Sequence, residues 1–138
     1  MRAISLWQPY ASAIAWELKR WETRGYPTSH RGLLAIHSTL HPPPQALELE
    51  RRWIPRLPVA ALPLGDDKLP RGCVLCTVRV CECMPTEQAV RWGLIGDQER
   101  ELGDYGPGRF AYQLMLVQRF QVPIRARGAR GWWHWEAA

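Results

Sequence analysis

Hydrophobic and polar positions alternate along Arg2–Leu6, which predicts a short strand closed by Trp7-Gln8-Pro9. The spacing then changes. Ala11, Ile14, Ala15 and Leu18 recur at helical intervals behind Pro9, predicting a helix over Tyr10–Leu18 that delivers Lys19 at its C-terminal end. Period two returns over Trp21–Gly25, setting Glu22 and Arg24 on one face and Trp21 and Thr23 on the other. Pro27–Arg31 reads as a loop, and Gly32–Ile36 as an apolar strand ending at His37-Ser38.

Pro42-Pro43-Pro44 punctuates the chain, and Gln45–Ile54 reads as an amphipathic helix carrying Leu47, Leu49 and Trp53. Pro55–Arg71, with Pro58, Pro63, Pro70 and Asp66-Asp67, reads as a loop with the composition of a mobile segment. Gly72–Cys83 is the strongest strand. Thr86–Trp92 follows as a helix capped by Thr86, then Glu99–Gly108 as a turn-rich connection and Arg109–Phe120 as a second long strand. Near the C-terminus Trp132, Trp133 and Trp135 alternate, so that one face closes the core and Trp133 points outward.

No repeat or low-complexity stretch marks a boundary, so residues 1–138 are expected to form a single domain. Five or six strands with two or three helices predict an α+β domain built on a small mixed β-barrel. Helices and strands alternate too irregularly for a doubly wound parallel sheet.

Composition adds a direction. Twelve prolines and eleven glycines fit a turn-rich, β-rich chain, and eight tryptophans supply rigid surfaces for core packing or base stacking. The net charge of +5 favours an anionic partner. Sixteen of the eighteen basic residues are arginine, a bias that a GC-rich genome also produces. Between Asp104 and Glu136 there is no acidic residue, while Arg109, Arg119, Arg125, Arg127 and Arg130 fall in that stretch, as phosphate contact would require. Cys73, Cys76, Cys81 and Cys83 flank a continuous strand pattern without a glycine-rich knuckle, which favours buried thiols over zinc or a disulfide. The apolar run before Trp16 is interrupted by Gln8-Pro9, and no segment is long enough to span a bilayer. A cytoplasmic protein without membrane contact is expected. No phosphate loop, metal-ligand set or cofactor fingerprint occurs, so neither cofactor nor metal is expected.

Lys19 stands at a helix-to-strand junction, and an ammonium partly removed from water can serve as base or nucleophile. Glu22 and Arg24 project into the same space, where a carboxylate and a guanidinium can hold a polar base edge or an anion. The same spacing also suits a surface ion-pair cluster. Gln8 can read a base edge through its amide or stabilise a turn. His37 is a candidate ligand contact or a structural histidine. Asp104 and Tyr105 lie in a Gly/Pro-rich loop that can line a cleft or simply turn. Arg109 is a candidate phosphate contact, and Trp133 a candidate stacking surface.

Three segments in order, Ser5-Leu6-Trp7-Gln8-Pro9-Tyr10-Ala11, Lys19-Arg20-Trp21-Glu22-Thr23-Arg24 and Gly32-Leu33-Leu34-Ala35-Ile36-His37, resemble the ASCH family of PUA-like β-barrels. The resemblance continues through Gly103–Tyr112 and Gly128–Trp135. The family pattern G-x-K-x-x-E-x-R is matched at Lys19, Glu22 and Arg24, with Glu17 at the glycine position. The resemblance implies a PUA-like barrel and a cleft around Lys19, Glu22 and Arg24 that binds RNA or a nucleoside through a single-stranded or modified base. It also implies an alternative, a hydrolase using Lys19 and Glu22, either a ribonuclease or an amidohydrolase on an acylated nucleoside such as N4-acetylcytidine. Two departures bear on that alternative. Glu22 occupies the threonine position of the amidohydrolase pattern, with Thr23 expected on the opposite strand face, and Gly106 stands where several relatives carry serine.

Overall fold

Six strands make one sheet: β1 (Arg2–Leu6), β2 (Trp21–Arg24), β3 (Leu33–Ser38), β4 (Cys73–Pro85), β5 (Phe110–Arg125) and β6 (Trp132–His134). Their order is β2-β5-β4-β3-β1-β6. Among the described residues only β1 and β3 run parallel, with Ser5 opposite His37 and Leu6 opposite Ser38. Around the sheet lie the helices α1 (Tyr10–Ala15), α2 (Pro44–Trp53), α3 (Thr86–Arg91) and α4 (Asp97–Glu101). The computed structural model describes residues 1–63, 65 and 67–137.

The β4–β5 ladder changes register at three places, and such bulges bend the paired strands. The curl brings Tyr112 of β5 against Trp132 of β6, with ring centroids 6.3 Å apart. Yet no ladder joins β2 to β6, so the sheet is curled and open where a barrel was expected. The α+β class and the six strands agree with the sequence pattern. Helices number four among the described residues rather than two or three, because α4 forms ahead of and into the start of the Glu99–Gly108 segment expected to be turns.

Alternate residues of the central strands divide two cores. Ile4, Leu34, Ile36, Val78 and Val80 pack with α1 on one face, while Ala3, Ala35 and Val74 pack with Trp135 on the other. The two alanines leave room for the indole, which Phe120, Ile124 and Trp133 enclose. Trp133 therefore packs inward, against the expectation that it points outward. Residues 11–15 of α1 are all buried because α2 and Leu102 cover the side that the sheet does not. A helix enclosed on all sides must be apolar on all sides, and Ala11, Ala13, Ile14 and Ala15 supply that.

Other boundaries differ for local reasons. Thr86 does not cap α3; its hydroxyl donates to the Gly106 carbonyl at 2.8 Å, tying the helix start to the following loop. β5 runs on to Arg125 through Pro123, where Val74 pairs with Ile124. The segment read as a mobile loop contains 3-10 turns at Ile54–Arg56 and Val59–Ala61, and Leu57, Ala61 and Leu69 pack beneath Trp16 and Leu18. Leu64 and Asp66, part of that reading, lie outside the described residues.

Helix α1 stops at Ala15 instead of Leu18. Glu17 takes a left-handed conformation, φ 60°, its N–H donating to the Ile14 carbonyl at 3.1 Å while Leu18 N–H donates to Ala13 at 2.8 Å. That pair of bonds is the Schellman ending, for which glycine is the preferred residue. A side chain in this region costs about 1–2 kcal/mol, partly offset because glycine is more flexible when unfolded. Glu17→Gly is therefore expected to stabilise the protein by up to about 1 kcal/mol, read as a higher urea midpoint at unchanged m-value. A lower midpoint would refute the assignment of strain to this position.

Candidate functional site

The reversal at Glu17 turns the chain inward, and Lys19 follows it into the protein. Its side chain has no exposed surface. Nζ donates to the Leu102 carbonyl at 2.6 Å, lies 3.5 Å from Glu22 Oε1, and sits 5.7 Å from the Tyr10 ring centroid. The other oxygen of Glu22 lies 3.4 Å from Arg24 Nη1, and Arg24 Nε donates to the Tyr26 hydroxyl at 3.1 Å. One carboxylate thus bridges two cations, one beneath it and one beside it.

Glu22 and Arg24 line a cleft of about 1440 Å³, whereas Lys19 lies one layer below its wall. The covering layer is the backbone at Leu102–Gly103. A β-carbon at Gly103 would stand 3.6 Å from both Lys19 Nζ and Thr23 Oγ1, and 2.9 Å from the Tyr105 ring. Thr23 shares this cleft despite the alternation of strand faces, because the 103–104 backbone folds over it and Asp104 N–H donates to its hydroxyl at 3.2 Å. Asp104 lines the same wall. Arg109 is fixed there by the Thr23 and Asp104 carbonyls, at 3.2 and 3.1 Å, and by the Asp104 carboxylate at 3.5 Å. Tyr10 lines the cleft too, and burial, with the charge of Glu22 adding, raises its phenol above the ordinary value.

A second bank of the cleft forms at the end of the sheet where β1, β3 and β5 finish and β4 begins. The Gly72 N–H donates to Ser38 at 2.7 Å, and Ala126 N–H donates to Gly72 at 3.1 Å. From there residues 126–131 cross the sheet end from β5 to β6. Gly128 sits so close to the ends of β1 and β3 that a β-carbon would lie 2.5 Å from the His37 ring and 2.6 Å from Ser5 Oγ. Thr39, His41, Arg71, Arg125, Arg127 and Arg130 line this bank.

Of the residues singled out from sequence, Glu22, Arg24, Asp104 and Arg109 meet in the first bank, and His37 borders the second. His37 is committed internally. Its Nε2 donates to the Ala126 carbonyl at 2.8 Å, leaving Nδ1 to accept from Ser5 Oγ at 2.9 Å. Burial lowers its pKa below 6.5, against the pull of the Ala126 bond, so the neutral ring is favoured. Gln8 is wholly buried and away from the cleft, its amide bonded to Ser12 and the Pro70 carbonyl. Trp133 is also off the cleft wall; its N–H donates to Ser5 Oγ at 3.1 Å and its ring meets His37 edge-on. Tyr105 lies behind the wall, its hydroxyl buried without a partner. Burial, then Glu99 and Glu22, push that phenol well above the ordinary range.

Sequence reasoning missed Trp7 and Tyr10 as cleft residues, although both lie in the segment that carried the resemblance. It also missed Glu99, for which no pattern signalled a role. Glu99 Oε2 accepts the Arg20 N–H at 2.7 Å, and burial raises its carboxyl despite that bond and the nearby Lys19. The cysteines do not enter the cleft: Cys73 and Cys76 are buried, Cys81 and Cys83 half-buried, and burial pushes the Cys76 thiol up to about 12. Among the described residues no three His, Cys, Asp or Glu side chains are placed to hold a metal ion, and no helix is long and apolar enough to cross a membrane.

The family model described as ASCH domain matches residues 4–123. The crystal structure of ASCH from Zymomonas mobilis is similar over 90% of this chain and 72% of its own, at 18% identity and a TM-score of 0.50. Two mutant forms of that protein each cover 92% of this chain, and 74% and 72% of their own, at 20% identity and TM-scores of 0.46 and 0.47. A search of curated proteins finds no match.

Two outcomes follow from the geometry. Lys19→Met leaves the Leu102 carbonyl without its donor and Glu22 without its inner cation, and is expected to cost about 3–5 kcal/mol in urea unfolding. Arg24→Gln, at the cleft surface, should cost distinctly less; equal losses would deny Lys19 its anchoring role. For His37 the folded pKa lies below 6.5, so its contribution is complete above that value and is lost as pH falls towards the folded pKa. Stability measured across that window should fall with acidification, and His37→Asn should flatten the profile.

Proposed function

The chain belongs to the ASCH domain family, and on that footing we propose that its cleft binds RNA or a nucleoside by reading a single-stranded or modified base. The observation that carries this reading is the fixed Lys19–Glu22–Arg24 array, which presents an acceptor and a donor side by side on the cleft wall. A base edge carries donors and acceptors in the same kind of pairing, and a carboxylate with a guanidinium can match it. Tyr10 and the 43%-exposed Trp7 line the same space and offer aromatic surface for stacking. The positive net charge suits a polyanion.

A hydrolase is the second reading, supported by the closeness of Lys19 Nζ and Thr23 Oγ1 to Gly103. It requires the Leu102–Gly103 backbone to swing aside, because Lys19 is sealed and its ammonium is already hydrogen-bonded. Geometry therefore favours recognition over turnover.

Fluorescence polarisation with labelled single-stranded oligonucleotides, and competition by modified nucleosides, tests the first reading. Glu22→Gln and Arg24→Gln should each weaken binding of the preferred base by about 1–3 kcal/mol, roughly 5- to 150-fold in Kd, and flatten the preference among bases. Unchanged base preference in both variants would sink the proposal. Mass spectrometry of N4-acetylcytidine and single-stranded RNA after incubation tests the second reading; turnover abolished in Lys19→Ala protein that circular dichroism shows to be still folded would establish it, and no turnover by the wild type would end it.

A further inference from the structure

Resting on that reading, we infer that the second bank of the cleft is a phosphate-binding site. The chain then takes its base as part of an oligonucleotide strand rather than as a free nucleoside. Three observations converge. First, the cations of the two banks are employed differently. Arg24 is paired with Glu22, Arg109 with Asp104, and Arg71 with the buried Glu50 through contacts of 3.0 and 3.1 Å. Arg125, Arg127 and Arg130 are exposed on the cleft and, among the described residues, make neither an ion pair nor a side-chain hydrogen bond. Arg125 at the end of β5 and Arg127 and Arg130 on the crossing segment, with no carboxylate paired to them among the described residues, create a local positive field that suits an external anion.

Second, the floor of this bank holds hydrogen-bonding capacity that the fold leaves unused. Thr39 Oγ1 and Arg71 Nε are both buried without partners. Buried polar atoms without partners are rare in folded proteins, and both of these belong to side chains that line the cleft, where a ligand oxygen could complete them. Arg71 Nε is a donor, and the Thr39 hydroxyl can donate; phosphate oxygens accept from both. The Glu50 contacts hold the Arg71 guanidinium in place for that task.

Third, size separates strand from nucleoside. At about 1440 Å³ the cleft exceeds the roughly 300–1,000 Å³ of sites that enclose one small ligand. A base at Glu22 and Arg24 leaves the second bank empty, and a sugar-phosphate continuation fills it. The fold holds that bank in register: Gly72, φ 69°, and the close packing of Gly128 bring segments 38–41, 71–72 and 126–131 together at one sheet end.

The test compares a nucleoside, its monophosphate and a hexanucleotide of the same base by calorimetry, with a salt titration for the hexanucleotide. Wild type should bind the hexanucleotide well above the nucleoside. Each phosphate contact on a single strand adds about 0.7 to the slope of log affinity against log salt, so Arg125→Gln with Arg127→Gln should lower that slope by about 1.4. Arg91→Gln, at an exposed position on α3 outside the cleft, should leave it unchanged. Thr39→Val keeps the side-chain shape and removes only the unpartnered hydroxyl, so it should fold at least as stably yet bind the hexanucleotide more weakly.

A nucleoside bound as tightly as the hexanucleotide, or a slope unaffected by the double variant, would overturn the phosphate bank while leaving base recognition standing. Loss of base preference in Glu22→Gln with the slope retained would support both. If no base-containing ligand binds, yet pyrophosphate or phosphatidylserine vesicles bind through Arg125 and Arg127, the strand inference and the base reading both fail.

Discussion

A buried ammonium governs this structure. Removing the Lys19 charge from water is costly unless every direction around it is answered, and the fold answers with the Leu102 carbonyl, the Glu22 carboxylate and the Tyr10 ring. These partners come from the 102–104 loop, β2 and α1, so satisfying one side chain fixes the relative placement of three elements. The helix must end at Ala15 for Lys19 to enter at all, which is why a left-handed residue persists at Glu17 despite its strain. Glu22 is in turn held from below, leaving its outer oxygen for Arg24 and the cleft.

The second constraint is the end of the sheet. One parallel pair in an otherwise antiparallel sheet sends β1 and β3 out on the same side, where β5 ends and β4 starts. The chain must then cross that end to reach β6, and it does so over Ser5 and His37 with glycine at the point of closest approach. Exposed arginines on the crossing segment are thereby brought to the same cleft as Glu22 and Arg24, although β3, β4 and β5 all intervene along the chain.

The strands and the position of Lys19 were legible because period-two and helical spacing register burial directly: β1 was read to the residue, and β2 and β3 nearly so. What sequence could not carry was depth. A lysine at an element boundary looks like a surface charge, and only the Schellman turn at Glu17 makes it a core residue. Gln8 and Trp133 lie off the cleft wall for a related reason. Their polar atoms are satisfied by Ser12, Pro70 and Ser5, partners that strand and helix periodicity does not reveal. The open sheet edge depends on whether β2 reaches β6, a matter of accumulated curl across bulges that no local pattern encodes.

Glu22 gains a further meaning from the cleft as a whole. Within its own bank the Glu22 carboxylate offsets part of the charge of Lys19 and Arg24, which leaves the uncompensated arginines of the other bank as the better place for phosphate. Asp104 reinforces the bias by occupying Arg109. The two banks thus differ in how their charge is compensated as well as in position: one offers paired donor and acceptor groups beside aromatic surface, the other unpaired cations. A molecule with a neutral polar ring at one end and anionic groups at the other fits that division in one orientation only. Placing threonine at position 22 would remove the carboxylate that creates it, so the residue that departs from the amidohydrolase pattern is the one that gives this cleft its polarity.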